Sequence, residues 1–459
     1  MKNDYSITSM IIKLLGKIHL KNSSLRIALA SQRRKYHPSD NSFWGQVYAN
    51  IMEIEKYYIT INYIEKFIIK KNFSSIKAYI DLITYWHFYN KKSSERIILE
   101  SSKLFFSSNK EKRLFSSYVQ SIRNLKLSSI LEQISEPSVK WSLKFSLPLL
   151  IYDSLISDCT IKELNLLGNW FNTPTPKYIW INNQNYNFSS FLVNLRKKIS
   201  LLEIPSVNKS FIVTGGQPVQ KIDEFKKHQL LIQDLGATII SQLVPKVNGT
   251  IVDLCAAPGN KTIQLFDKYS FEDNCTLYAG DIPGSRFSTL LKRVPKLLDL
   301  NYYQIANLKE NTFEFVNKNK KLFLKSWDGS DLPFEDFFAD LVFIDAPCTG
   351  SGTLGSKPDV RQQIDEKFLL KHVEIQKKLL TESNRILKRN GFIFYTTCSL
   401  LKEENESQIL NFIHEFTNYE IIPLKHNLNS TKLILEGSIK LFPPLSKTEG
   451  FFAVLLQKN

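Results

Sequence analysis

The sequence predicts an α/β chain: a mostly parallel, doubly wound sheet over residues 216–459, preceded by a mainly helical, basic N-terminal domain. Three observations carry this. From about residue 216 onward, strand-like and helix-like segments alternate. Over residues 1–135, apolar residues recur at three-to-four spacing and Gly and Pro are scarce. Charge is also uneven. Residues 1–150 hold 24 Lys and Arg against 11 Asp and Glu, whereas residues 151–459 hold 36 against 33. A basic module joined to a near-neutral one points to a polyanion such as nucleic acid.

In chain order, "IIKLLGKIHL", "FWGQVYANIMEIEKYYITINYIEKFI", "IKAYIDLITYWHFY" and "ERIILESSKLFF" read as helices. The basic stretch "SQRRKYHPSDNSF" interrupts them, with Ser39-Asp40 as a helix N-cap. Residues 136–215 are punctuated by Pro137, Pro148, Pro174 and Pro176 and contain the strand-like "KYIWINN" and "KSFIVTGG". They read as a small α/β module or a linker. Then follow the strands "GTIVDLC", "CTLYAGD", "ADLVFID", "GFIFYTTC" and "FFAVLLQK". Between them lie the helices "NKTIQLFDKYS", "SRFSTLLKRVPKLLDL", "DEKFLLKHVEIQKKLLTESNRILKR" and "EENESQILNFIHEF". Asn390-Gly391 reads as the stop of the long helix. The domain boundaries expected are thus 1–135, 136–215 and 216–459.

The five cysteines, Cys159, Cys255, Cys275, Cys348 and Cys398, include no CxxC pair and no cluster of zinc-ligand spacing, so no metal is expected. Free thiols fit a reducing compartment. Lys residues within the N-terminal apolar run do not fit a signal peptide, and no run of about 20 apolar residues suggests a membrane span. The expectation is a cytoplasmic monomer.

Ligands of such sheets bind outside the carboxyl ends of the strands. The first of these strands ends in "DLCAAPGNK", whose small residues let the backbone approach a ligand and whose following helix offers free N–H groups. It is neither a P-loop nor GxGxxG. The second strand ends in Asp281, placed to grip ribose hydroxyls or, alternatively, to cap a helix. The third ends in "DAPCTGSG" and the fourth in "FYTTCSL", so Cys348 and Cys398 both fall at strand ends, where a nucleophile is more fitting than a packing thiol. Cys255 lies inside the loop and reads as packing; Cys159 and Cys275 have no supporting context.

"DLCAAPGNK", "DIPGSR", "DAPCTGSG" with "KPDVR", and "TTCSLLKEEN" together resemble the motifs of the NOL/NOP/SUN-type RNA cytosine-C5 methyltransferases, in particular the bacterial ribosomal-RNA branch. The resemblance covers roughly residues 210–459, and "SQRRKYHPSDNSF…VYANIMEI" is similar to the helical RNA-binding extension of some bacterial members. It implies a Rossmann-like methyltransferase domain with its last strand antiparallel, S-adenosylmethionine as cofactor, and RNA as substrate, ribosomal RNA first with transfer RNA as the alternative. It further implies that Cys255, Ala256, Ala257, Pro258, Gly259, Asn260 and Lys261 wrap the methionine part of the cofactor. Asp281 would bind its ribose, Asp328 its adenine, and Asp345 would sit between cofactor and target base. Cys398 would be the nucleophile and Cys348 would assist release. Residue chemistry alone leaves open which cysteine attacks, because a Pro-Cys element like Pro347-Cys348 carries the nucleophile in DNA cytosine methyltransferases.

Two departures from the family pattern stand out. Asn260 replaces a glycine, and Asn is the residue best suited to keep a left-handed turn there. The segment "ANLKENTFEFVNKNKK" lengthens the interval from Asp281 to Asp328, which makes Asp331 an alternative adenine contact. A catalytically silent RNA-binding ribosome-assembly factor is the competing reading.

Overall fold

The computed structural model describes residues 6–21, 23, 25–38, 42–69, 76–90, 106, 108–182, 187–269, 273–298, 304–308, 312–317, 319–424 and 435–459. The chain divides into two compact units, Met1–Thr173 with Leu354–Asp365, and Pro174–Thr353 with Glu366–Asn459. Each carries its own apolar core.

The first unit is helical. In Phe43–Ile68, Phe43, Val47, Ile51, Ile54, Tyr58, Ile61 and Ile64 fall on one face and are buried. All of these but Ile64 share a core with Met10, Ile11, Leu14 and Leu15 from Ile7–Lys21, and Leu82 and Tyr85 from Lys77–Phe88. The cap at Ser39-Asp40 and most of the helix read at "ERIILESSKLFF" lie outside the described residues. Helices also fill residues 137–172, where Ile161–Asn172 starts in a capping box: Thr160 Oγ1 accepts from the Glu163 N–H and the Glu163 carboxylate accepts from the Thr160 N–H.

The segment Leu354–Asp365 reaches this unit through Arg361, which is 1% exposed. Its guanidinium donates to the carbonyls of Lys56 (2.6 Å), Ser146 (3.2 Å), Phe171 (2.8 Å) and Leu354 (3.1 Å) and to Asn172 Oδ1 (2.9 Å). Gln362 Nε2 adds a bond of 2.5 Å to Glu55. A buried cation whose acceptors are carbonyls and an amide is held by its fixed fork of donors rather than by a counter-charge.

The second unit opens with a four-stranded antiparallel sheet, β1 (Tyr178–Ile181), β2 (Ile199–Glu203), β3 (Ser210–Gly216) and β4 (Leu230–Ile232), in the order β2-β3-β1-β4. Tyr178 and Trp180 of β1 join the core beneath the larger sheet. The larger sheet contains β5 (Gly249–Asp253), β6 (Cys275–Asp281), β7 (Gln304–Leu308), β8 (Thr312–Asn317), β9 (Lys320–Ser326), β10 (Ala339–Asp345), β11 (Leu387–Thr397), β12 (Tyr419–Ile422), β13 (Ile439–Leu441) and β14 (Phe451–Lys458). Its order is β12-β14-β11-β10-β5-β6-β9-β8-β7, with β13 beside β14. The run β11-β10-β5-β6-β9 is parallel and β14 is antiparallel to β11, the Rossmann-like arrangement of a methyltransferase fold. Both faces of the central strands are buried, as their unbroken apolar runs require.

The structure corrects two local readings. Asn390-Gly391 does not stop the long helix, which runs Glu366–Ile386 and ends where β11 begins. Asn390 takes the left-handed conformation (φ 61°) inside β11, at the bulge where the register against β10 jumps from Ala339↔Leu387 to Leu341↔Phe392. The long interval before Asp328 is an antiparallel pair, β7 and β8, added to the sheet edge ahead of β9. The alternation of "TFEFVN" and "KKLFLKS" carries both β8 and β9, which the sequence reading left out.

Replacing Arg361 with Met removes donors from five buried acceptors at once. We expect unfolding to become easier by about 3 kcal/mol, measured by urea denaturation, with Arg361→Lys recovering less than half because an ammonium cannot span the fork.

Candidate active site

The loop expected to cradle the cofactor grows from β5. After Asp253 the chain turns through Leu254–Gly259 into the helix Asn260–Asp267. Gly259 takes the left-handed conformation (φ 100°), while Asn260 is already helical. The left-handed demand therefore falls on Gly259, a correction to the reading that put it on Asn260. The Gly-to-Asn departure needs no unusual backbone, and Asn260 Oδ1 accepts a 2.7 Å bond from Arg293. Cys255 is half-buried against Leu254 and Trp327, and burial pushes its thiol well up. Cys159 and Cys275 are buried.

Asp281, at the end of β6, is 4% exposed. It does not cap a helix, since the next one starts after Gly284. Its oxygens accept from the N–H groups of Ala257 (2.9 Å) and Ile282 (2.9 Å), and from Arg286 Nε (2.7 Å) and Nη2 (2.9 Å). Asp281 thus ties the glycine loop to the neighbouring strand end. Arg286 was not singled out from the sequence, although "DIPGSR" contains it. Asp328 stands two residues past β9 and accepts from the Ser330 N–H (2.9 Å) and hydroxyl (2.7 Å), bonds that hold its carboxyl below the usual range. Asp331 is tied to it through the backbone (3.0 Å).

Beneath the loop, Asp253 is fully buried. One oxygen accepts from Thr262 Oγ1 (2.7 Å) and the other has no hydrogen-bond partner among the described residues. Burial pushes this carboxyl up to about 7. Acids at two adjacent strand ends, beside a loop of small residues and a free helix N-terminus, fit a nucleoside with an amino-acid tail.

The thiols meet because of sheet register. In the parallel β10–β11 pair, Asp345 lies opposite Thr396, so the chains leaving both strands run at the same height. Cys348 and Cys398 follow three and two residues later, with Sγ atoms 3.3 Å apart and both side chains half-buried. Cys348 is raised well above the ordinary thiol range, first by its hydrogen bond to Cys398, then by burial and by the charges of Cys398 and Glu404. Lys261 Nζ bonds both Asp345 oxygens (2.7 and 2.6 Å) and lies 5.2 Å over the Phe451 ring. Burial opposes the Lys261 charge, but Asp345 outweighs it and the ammonium is held above its ordinary pKa. Sequence reading placed Lys261 with the cofactor and did not foresee that its side chain reaches Asp345.

A buried polar lattice fixes the two thiol loops. Glu404, fully buried, accepts from the Thr349 N–H (2.8 Å) and hydroxyl (2.5 Å) and from Gln376 Nε2 (3.1 Å), which also bonds the Pro347 carbonyl (3.0 Å). Asn405 takes the Thr397 hydroxyl (2.5 Å) and donates to the Ser399 carbonyl (2.9 Å). The Ser351 and Ser399 hydroxyls bond each other (2.8 Å), and Gly352 N–H donates to the Cys398 carbonyl (2.9 Å). A Cβ at Gly352 would run into the Gly450 and Cys398 carbonyl oxygens, so only glycine fits. "KEEN" carried this signal, a buried acid seven residues beyond a strand end, but its carboxylate's partners are 28 to 55 residues distant in sequence.

Among the described residues there is no cluster of three metal-type ligands, and no helix is long and apolar enough to cross a membrane.

Comparison with known proteins places this geometry. Residues 240–457 match the family described as 16S rRNA methyltransferase RsmB/F. The chain is 27% identical over 297 residues to the ribosomal RNA small subunit methyltransferase B of Photorhabdus laumondii, covering 64% of this chain and 62% of that protein. It is 25% identical over 243 residues to the probable ribosomal RNA small subunit methyltransferase B of Bacillus subtilis (51% and 49%). The chain thus spans between about half and three-fifths of the length of the curated relatives it matches. Among solved structures, PH0851 is similar over the full length of both chains, with a TM-score of 0.75 at 22% identity. A methyltransferase homolog protein from Pyrococcus horikoshii covers 71% of this chain and 100% of its own, with a TM-score of 0.56 at 22% identity. Fold, motif positions and family match agree: residues 240–457 form a methyltransferase domain of the RsmB/F family, of the NOL/NOP/SUN type.

Proposed function

We propose that the protein methylates C5 of a cytosine in ribosomal RNA with S-adenosylmethionine as cofactor. The observation that carries this is the thiol pair at 3.3 Å beside the Lys261–Asp345 ion pair, at the carboxyl ends of adjacent parallel strands. Asp281 would hold the cofactor's ribose, Asp328 its adenine, and the loop Cys255–Lys261 its methionine part. For the ribose to reach Asp281, Arg286, whose side chain is about half exposed, has to yield some of its bonds. When bound, S-adenosylmethionine supplies an electrophilic methyl group.

The protein's own groups make the base a nucleophile. Cytosine C5 is unreactive until a thiolate adds to C6 and turns the ring into an enamine. Cys398 performs that addition. Asp345 meets the polar edge of the ring near N3, and the Lys261 ammonium supplies the protons that offset the charge developing there. Cys348 begins protonated, chiefly because of the hydrogen bond it shares with Cys398. Once Cys398 is bonded to C6 its charge is gone and that restraint on Cys348 is lifted. Cys348 then gives up its proton to solvent, takes the proton from C5, and the C6–S bond breaks as the aromatic ring reforms. The target base has to leave its stack to reach these groups. The first unit's positive surplus suits it to hold the surrounding RNA.

Bisulfite mapping of total RNA, with and without the active protein, should reveal one or a few ribosomal cytosines that lose protection; a site in transfer RNA instead would redirect the substrate. With RNA containing 5-fluorocytosine, Cys398→Ala should form no covalent adduct. With ordinary RNA, Cys348→Ala should accumulate one, seen as a slow-migrating band on denaturing gels. An adduct in the Cys398 variant would reverse the two roles. Asp281→Asn should weaken S-adenosylmethionine binding by about tenfold or more in calorimetry, as expected for a lost charge-assisted bond. No measurable affinity in the parent protein would instead favour an RNA-binding assembly factor.

A further inference from the structure

The mechanism above needs the two thiols to behave differently, yet their sulfurs lie 3.3 Å apart and both side chains are half-buried. Something other than burial has to tell them apart. Four charged or titratable groups besides the thiols face the pair: Lys261 with Asp345 from the helix and β10, Tyr395 from β11, and Glu404 from the short turn Lys402–Glu404. Lys261 is matched by Asp345, so that pair brings little net field. The Tyr395 hydroxyl donates to the Glu404 carbonyl (2.7 Å) and is spent there. Glu404 remains. Its carboxylate accepts from an amide, a hydroxyl and a carboxamide, all of them neutral donors. Two of those donors belong to Thr349, the residue next to Cys348, and the third also grips Pro347 on the other side.

We propose that Glu404 is the positioning residue that divides the labour between the cysteines: it fixes the Pro347–Thr349 turn and sets a buried negative charge on the Cys348 side, so that the charge of the thiol pair resides on Cys398. The upward shift of Cys348, to which Glu404 contributes, agrees with this geometry. The inference rests on the functional reading above only for its consequence, the choice of nucleophile; the asymmetry itself is a property of the free protein.

The test is pulse alkylation of the full-length, reduced protein with iodoacetamide across pH 6–10, each cysteine quantified by peptide mass spectrometry. In the parent protein Cys398 should react at lower pH than Cys348. Glu404→Gln keeps the shape and removes the charge, and should speed Cys348 alkylation at pH 8 about tenfold or more, the factor for one unit of thiol pKa. Glu404→Asp keeps the charge and should stay within about threefold of the parent. A merely structural role would make both substitutions act alike. Cys348 alkylation unchanged by Glu404→Gln, or equally accelerated by Glu404→Asp, overturns the proposal. If Glu404→Gln does not fold, the parent's own pH profiles decide: Cys348 reacting at or below the pH of Cys398 overturns it as well. Alkylation requires neither RNA nor cofactor. Failure to find a methylated cytosine therefore leaves this test standing, and failure here leaves the methylation reading intact.

Discussion

The parallel register of β10 against β11 is the constraint on which the site depends. Asp345 opposite Thr396 means that both chains cross the end of the sheet together, and everything reactive follows within three residues. A slip by one residue would turn each side chain to the other face of the sheet and part the thiols. The register is secured from both sides, by β5 along β10 and by β14 along β11, and by the bulge at Asn390 that absorbs the mismatch at the far end. The strain-bearing irregularity is thereby kept away from the chemistry.

The ion pair of Lys261 and Asp345 is the second organising contact. It joins the Cys255–Lys261 loop to the end of β10, so in the proposed reading one ammonium would serve both the cofactor's and the base's half of the site. Its partial exposure, 16% for Lys261 and 28% for Asp345, leaves room for a polar ring edge to take over some of its hydrogen bonds. Had the pair been sealed in the core, it would have been inert; had it been on the surface, water would have weakened it.

The central parallel strands were legible in the sequence because a strand buried on both faces reads as an unbroken apolar run, and "TIVD", "LVFID" and "FIFYTT" are such runs. The added edge strands β7 and β8 were not, since alternating edge sequence mixed with Lys and Asn resembles a loop. The acids and cysteines at strand ends were legible because their spacing from the strand is local. Arg286, Gln376 and Glu404 were not. Gln376 and Glu404 act through partners brought near only by folding, Glu404 meeting Thr349 across 55 residues, whereas Arg286 grips Asp281 only five residues away and was hidden by its place in the first turn of a helix. Asn390-Gly391 shows how a correct local signal can mislead: the left-handed residue is there, but it serves a bulge rather than a helix end.

The route of the chain around Arg361 bears on how such a protein can be dissected. The segment Leu354–Asp365 leaves the second unit directly after the Cys348 loop, belongs to the helical unit, and the chain returns at Glu366. No single cut therefore separates the two. A fragment beginning near Pro174 would carry a guanidinium whose acceptors, from Lys56 to Asn172, had been removed, on a tether that ends one residue from Thr353. Gene fusion or domain exchange in this architecture has to carry the twelve residues Leu354–Asp365 along with the helices, so the helical unit is inherited as a discontinuous partner rather than as a detachable tag.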